Sequence, residues 1–152
     1  MTIGQSTEVV AILLLSIFAG RYKIRWLLVL SMVFGVVRFA LLALAGATGL
    51  LPVIWLGIAL HGPIYTCMII AGRIFIDRRV PSTLRGQAQA LHSLLVMSIA
   101  GIIGSFFCEW MYRRSGVSDS DNWIGFWLTM MVFGIFALMY FLVGMIRRPA
   151  NV

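Results

Sequence analysis

A few of the 152 residues carry groups able to bind a solute, hold a charge or pass a proton inside an otherwise apolar chain. Arg38 lies thirteen residues into the apolar run 26–46. An arginine at mid-membrane costs about 2.5–3.5 kcal/mol on insertion scales and cannot snorkel fully to either surface, so it must face protein or a water-filled cavity. Ser31, Gly35, Leu42 and Ala45 share its helical face, a mostly small stripe that lets a helix or ligand approach. Glu8 is the natural opposite charge, and Gln5 lies one turn before it on the same face. Desolvation favours a neutral carboxyl and a neighbouring arginine a charged one, so Glu8 between the two could take up and release a proton. The blander alternatives stay open: Arg38 in a structural ion pair that locks two helices, and Glu8 merely solvated in the outer interface.

The densest pattern runs from Gly57 through His61, Tyr65 and Met68 to Gly72, five residues in one narrow helical arc. A glycine, an imidazole, a phenol and a second glycine make a groove with hydrogen-bonding walls. His61 and Tyr65 are expected to line a cavity, or in the plainer reading to bond between helices, and Met68 to pack. Pro63 removes a backbone donor, so a kink is expected here, with a carbonyl one turn earlier left without its usual partner. Further on, Arg73 and Asp77 are four residues apart and are expected to pair as a gate or anchor at one membrane face. Arg85, Gln89, His92 and Ser93 share the start of the following helix, where they meet headgroups or line a vestibule. The chain contains no HExxH, GxSxG or phosphate-cradling glycine loop, and no acidic pair suited to hydrolysis. His61 and His92 fall at different depths, which makes an intramembrane enzyme a weak reading. Neither catalysis, a metal site nor a cofactor is expected.

The elements that hold these groups follow from composition. Residues of the AVILMFWYC set make up 61% of the chain and charged residues 11%, and the mean hydropathy is +1.00. A soluble domain averages about 45–50% apolar and 25% charged, so lipid must solvate most of this chain. Five runs are long enough to span: residues 4–19 (counting a polar start), 26–46, 51–76, 87–108 and 123–146. They do not alternate as strands would. The expected fold is all-α, a polytopic membrane helix bundle forming one transmembrane domain over residues 1–152. Ser82 or Thr83 is placed to cap the fourth span and Asp121 the fifth. Gly101 and Gly104 read as close packing, Cys67 and Cys108 as small buried hydrophobes, and the fifth span as a lipid-facing support.

Twelve basic residues against five acidic ones give a net charge of +7. In a soluble chain that balance would point to nucleic acid; here the charges sit between apolar runs and report orientation instead. Arg21, Lys23, Arg25, Arg78, Arg79, Arg85, Arg147 and Arg148 gather on one side, and only Arg113 and Arg114 on the other. The rule that cytoplasmic loops are basic therefore predicts an external N-terminus and a cytoplasmic C-terminus, in the plasma (inner) membrane.

Several of these motifs resemble the C-terminal half of a major facilitator superfamily transporter, and more narrowly the nucleoside:proton symporter family. Gln5-Ser6-Thr7-Glu8 is similar to a Q-x-x-E run in that family's eighth helix, and Arg21-Tyr22-Lys23-Ile24-Arg25 to its next cytoplasmic loop. Arg38-Phe39 is similar to an Arg-aromatic pair in helix nine. Leu60-His61-Gly62-Pro63-Ile64-Tyr65, followed by Gly72 and Asp77, resembles the L-H-G-x-x-Y…G-x-I-x-x-D stretch of helix ten, and Gly86-Gln87-Ala88-Gln89-Ala90-Leu91 the entry to helix eleven. Thr66 stands where the family pattern has Asp, and Arg73 where it has Gln; the first removes a candidate proton carrier. The resemblance covers helices eight to twelve of twelve. It implies a partial transporter, either a fragment or a truncated form, that carries a nucleoside with a proton by alternating access once the N-terminal half closes the passage. It also implies substrate binding by Gln5 and Glu8. A permease for another small polar solute and a non-transporting membrane interaction protein are the competing readings.

Overall fold

The computed structural model describes residues 2–18, 24–117 and 123–147, and the elements among them are helical. They are α1 (Thr2–Phe18), α2 (Ile24–Thr48), α3 (Leu51–Ala59), α4 (His61–Arg79), α5 (Arg85–Ser93), α6 (Ala100–Arg114) and α7 (Trp123–Arg147). A 3-10 turn at Ser82–Leu84 precedes α5, and a π-helical stretch, Leu94–Ile99, joins α5 to α6. Four rods are long and apolar enough to cross a membrane: Ile24–Thr48, Leu51–Arg79, Ser82–Arg114 and Trp123–Arg147. The 17 residues of α1 rise about 26 Å, slightly less than the 30 Å hydrocarbon core.

The expected third span at 51–76 is two segments rather than one continuous helix. Leu50 is extended and Pro52 sits in the first turn of α3, where a missing N–H removes no helical bond. The break falls at Leu60 (φ −65°, ψ −13°), between Ala59 and His61. Pro63 cannot donate to the carbonyl four residues back, which is Ala59, so the ladder opens there and Ile64 resumes it on Leu60 at 3.3 Å. His61 therefore opens α4 at the bend. The second segment runs on to Arg79, three residues beyond the expected end.

Helix α2 is the hub, packing on α7, on α4 and on α3, while α1 packs on α4. Small residues permit these approaches. Added methyls would meet Leu42 from Gly57 and Val36 from Gly134, so α2 lies hard against α3 and α7. One core knot holds Leu27, Cys67 and Ala71; another holds Met111, Val117, Phe126 and Met130. Trp127 of α7 stacks on Phe39 of α2 with centroids 6.2 Å apart, so α7 has a packed face as well as its exposed one. Outward, the surface is Phe106, Phe136, Ile146 and many similar side chains. Such an exterior is stable only in hydrocarbon, where helices alone satisfy their own backbone.

Several local expectations are corrected. Neither Ser82 nor Thr83 caps a helix by its side chain. A Cβ added at Gly101 or Gly104 would meet nothing within 4 Å, so that pair is not a packing motif here. Cys67 is buried, whereas Cys108 is exposed on the apolar exterior. The suggested cap Asp121 and the basic residues Arg21, Lys23 and Arg148 lie outside the described residues.

Candidate functional site

Three helices deliver one charged or titratable side chain each to the bend of α4. Arg38 comes from the middle of α2, His61 from the first position of α4, and Glu8 from α1. Arg38 Nη1 lies 3.0 Å from His61 Nδ1. His61 Nε2 lies 3.7 Å from Glu8 Oε1, within ion-pair range but too long for a hydrogen bond. The sequence pairs Glu8 with Arg38 directly; the structure inserts His61 between them. That link was legible in principle, since two polar groups deep in lipid must each find a partner.

The bond to Arg38 fixes the imidazole's chemistry. A guanidinium only donates, so His61 Nδ1 must accept with its lone pair. The proton of the neutral ring then sits on Nε2, the nitrogen facing Glu8; this tautomer is assigned from the hydrogen-bond network. A second proton on Nδ1 would remove the acceptor and set two cations against each other. Proton uptake at His61 and its bond to Arg38 therefore exclude one another, while Glu8 is placed to stabilise the imidazolium. The Glu8 side chain is 27% exposed and that of His61 43% exposed, so both are reachable from one flank of the bundle. Arg38 Nε and the Thr66 hydroxyl are buried without a hydrogen-bond partner.

Gly62 is what lets α1 come this close. A Cβ there would strike the Thr7 carbonyl carbon and stand 2.5 Å from the Glu8 backbone nitrogen. Tyr65 follows His61 on the same face, 40% exposed, with its ring centroid 6.2 Å from the imidazole. Gln5 is exposed one turn before Glu8 on α1. Around Arg38, the expected stripe is only partly open: Ser31 is buried and donates to the Leu28 carbonyl at 2.8 Å, Ala45 is buried, and Leu42 packs at Gly57, while a Cβ at Gly35 would meet nothing within 4 Å.

At the other end of α4, Asp77 does not pair with Arg73. Asp77 Oδ1 accepts a 2.7 Å hydrogen bond from Gln89 Nε2 of α5, and Arg73 is exposed. His92 of α5 lies over Gly72, where an added Cβ would be 2.8 Å from Nε2. These two contacts hold α5 against α4. Arg85 instead donates to the Val80 carbonyl at 3.4 Å. Among the described residues, no group of three or more His, Cys, Asp or Glu side chains could hold a metal ion.

Apolar rods suited to lipid, with charged groups meeting at a helix break, define a multi-pass membrane helix bundle. The sequence pattern of the nucleoside H+ symporters matches residues 1–151, and the chain belongs to that family. Among curated proteins of Escherichia coli (strain K12), it is 25% identical over 146 residues to the xanthosine permease, covering 95% of this chain and 35% of that protein. It is 28% identical over 142 residues to the putative nucleoside transporter YegT, covering 84% and 32%. It is 29% identical over 133 residues to the nucleoside permease NupG, covering 84% and 31%. The chain thus spans about a third of the length of these relatives. No solved structure matches it.

Proposed function

We propose that this chain supplies one wall of a nucleoside passage, and that transport is coupled to protons by alternating access. The observation that carries the reading is the Arg38–His61–Glu8 bridge across three helices at the bend of α4. Glu8, Gln5, His61 and Tyr65 bind the substrate: the carboxylate and amide suit sugar hydroxyls, and the exposed Tyr65 ring suits a base. Glu8 and Arg38 are the charge pair of the coupling step, with His61 as the group between them. A proton arriving at His61 releases Arg38 and draws Glu8 inward, so the state of the charges changes with the solute.

The opposing wall belongs to a second helical half; in support of this, the chain spans only about a third of the length of its relatives. The arginine-rich ends face the cytoplasm, which places the N-terminal end of α1 outside. Arg73 and Asp77 stand at the cytoplasmic gate, with Asp77 tied through Gln89 to α5. The test is uptake of labelled uridine into vesicles by the complete transporter carrying these helices. Glu8→Gln and His61→Ala should each abolish proton-driven accumulation; wild-type uptake by Glu8→Gln would remove Glu8 from the mechanism.

A further inference from the structure

The rod Ser82–Arg114 is docked at both ends and irregular between them. At one end Gln89 donates to Asp77 at 2.7 Å and His92 lies over Gly72, so α5 is seated on α4. At the other, Phe107 meets Phe133 edge to face with centroids 4.8 Å apart, and Met111 packs with Phe126 and Met130, so α6 is seated on α7.

The joint between them is one residue too long for an α-helix. The Leu94 N–H still reaches the Ala90 carbonyl, four residues back, whereas the Ala100 N–H reaches Leu95, five back. Between those donors lie the five N–H groups of residues 95–99, and between their acceptors only the four carbonyls of residues 91–94. One carbonyl must serve two donors, or one N–H goes without. Water makes up such a shortfall in solution, but hydrocarbon cannot. A wide turn of this kind is rare, and none of the side chains of Leu94–Ile99 is buried to hold it. What holds it is the register of the two docked ends. With α6 fixed, closing the turn to four-residue spacing would rotate α5 by about 100° and slide it by about 1.5 Å, carrying Gln89 and His92 off α4. We propose that Leu94–Ile99 is a two-position joint, wide while Gln89 and His92 are seated on α4 and closed to α-helical spacing once they leave. Unseating α5 also takes His92 out of the wall of a cavity of about 1000 Å³ that it lines with Met68 and Phe75 of α4. The joint is separate from the Arg38–His61–Glu8 bridge and stands whether or not the chain transports nucleosides.

The experiment is pulsed electron paramagnetic resonance on the chain in lipid nanodiscs, with Cys67 and Cys108 replaced by alanine. One nitroxide sits on α5 at Gln87→Cys and its partner on α7 at Phe136→Cys or on α2 at Val33→Cys, all exposed positions. Gln89→Ala with His92→Ala should unseat α5 and move its label by about 8 Å, the chord of that turn at side-chain radius, in at least one of the two pairs. A pair between Phe106→Cys of α6 and Phe136→Cys should keep its distance. Deleting Met97 makes Ala100 the fourth residue after Leu95, so the rod becomes a plain α-helix with both ends still docked. The deletion should leave the parent distances unchanged, and in that background the double substitution should no longer rotate α5. Deletion of Ile99 serves the same purpose if the first variant fails to fold, and failure of both would refute the one-residue excess. Unchanged distances in the double variant would overturn the proposal. So would the same shift with Met97 deleted, or a deletion that itself turns α5 off α4.

Discussion

Gly62→Ala is the sharpest probe of how the charged bridge is held. The new Cβ would meet backbone atoms of Thr7 and Glu8, at 2.5 Å from the Glu8 nitrogen and 2.7 Å from the Thr7 oxygen. Backbone cannot rotate aside as a side chain can, so α1 and α4 must part by about 1 Å, an overpacking that costs about 1–3 kcal/mol. Glu8 moves with α1, stretching its 3.7 Å approach to His61. Two other glycines calibrate the effect. At Gly57 the added methyl would meet the Leu42 side chain at 3.0 Å, which can shift, and at Gly35 it would meet nothing within 4 Å. There the replacement should be neutral or stabilise by about 0.5–1 kcal/mol, since alanine loses less backbone entropy on folding. Thermal unfolding in detergent should rank the variants Gly35→Ala, then Gly57→Ala, then Gly62→Ala. The last should melt about 5 °C below the parent, at a few degrees per kcal/mol for a chain of this size. A Gly62→Ala protein that melts with the parent, or a Gly57→Ala protein that falls further, would refute the reasoning.

Thr66→Val should be neutral or stabilising by about 1 kcal/mol, because it replaces a buried hydroxyl that has no partner with a methyl of similar size; chemical unfolding reads this directly. Gly72→Ala should loosen α5 by pressing on the His92 ring, and His92→Ala should relieve it, so hydrogen exchange of residues 85–93 ought to rise in the single variant and return in the double. Gln89→Ala should cost about 1.5–3 kcal/mol by leaving the Asp77 carboxylate without its donor, and Asp77→Ala on top should add little. A double-mutant cycle in thermal unfolding measures that coupling, and a value near zero would show the 2.7 Å contact to be inert.

The helices were legible in the chain because hydropathy and length alone force them in lipid, and Arg38 and His61 stood out because a polar group inside an apolar run is expensive wherever it ends up. The bend was legible too, since Pro63 removes a donor in any surroundings, although its displacement to Leu60 follows from which carbonyl loses its partner. The pairings were less readable. Spacing on one helix made Arg73 and Asp77 look like partners, yet Asp77 turned to Gln89 of α5, because a neighbouring helix brings an amide to 2.7 Å that no rule of sequence separation anticipates. Glycines were ambiguous in the same way: Gly62 and Gly101 are identical in sequence terms, and only the approach of α1 makes the first indispensable and leaves the second facing open space. By itself, then, the sequence determined a lipid-solvated helical bundle, its family and the polar groups that had to be hidden, because burial in hydrocarbon penalises each residue one at a time. Which groups meet, and that His61 stands between Glu8 and Arg38, were decided by tertiary structure alone, because such contacts depend on how closely separate helices can approach and not on the preferences of any one of them.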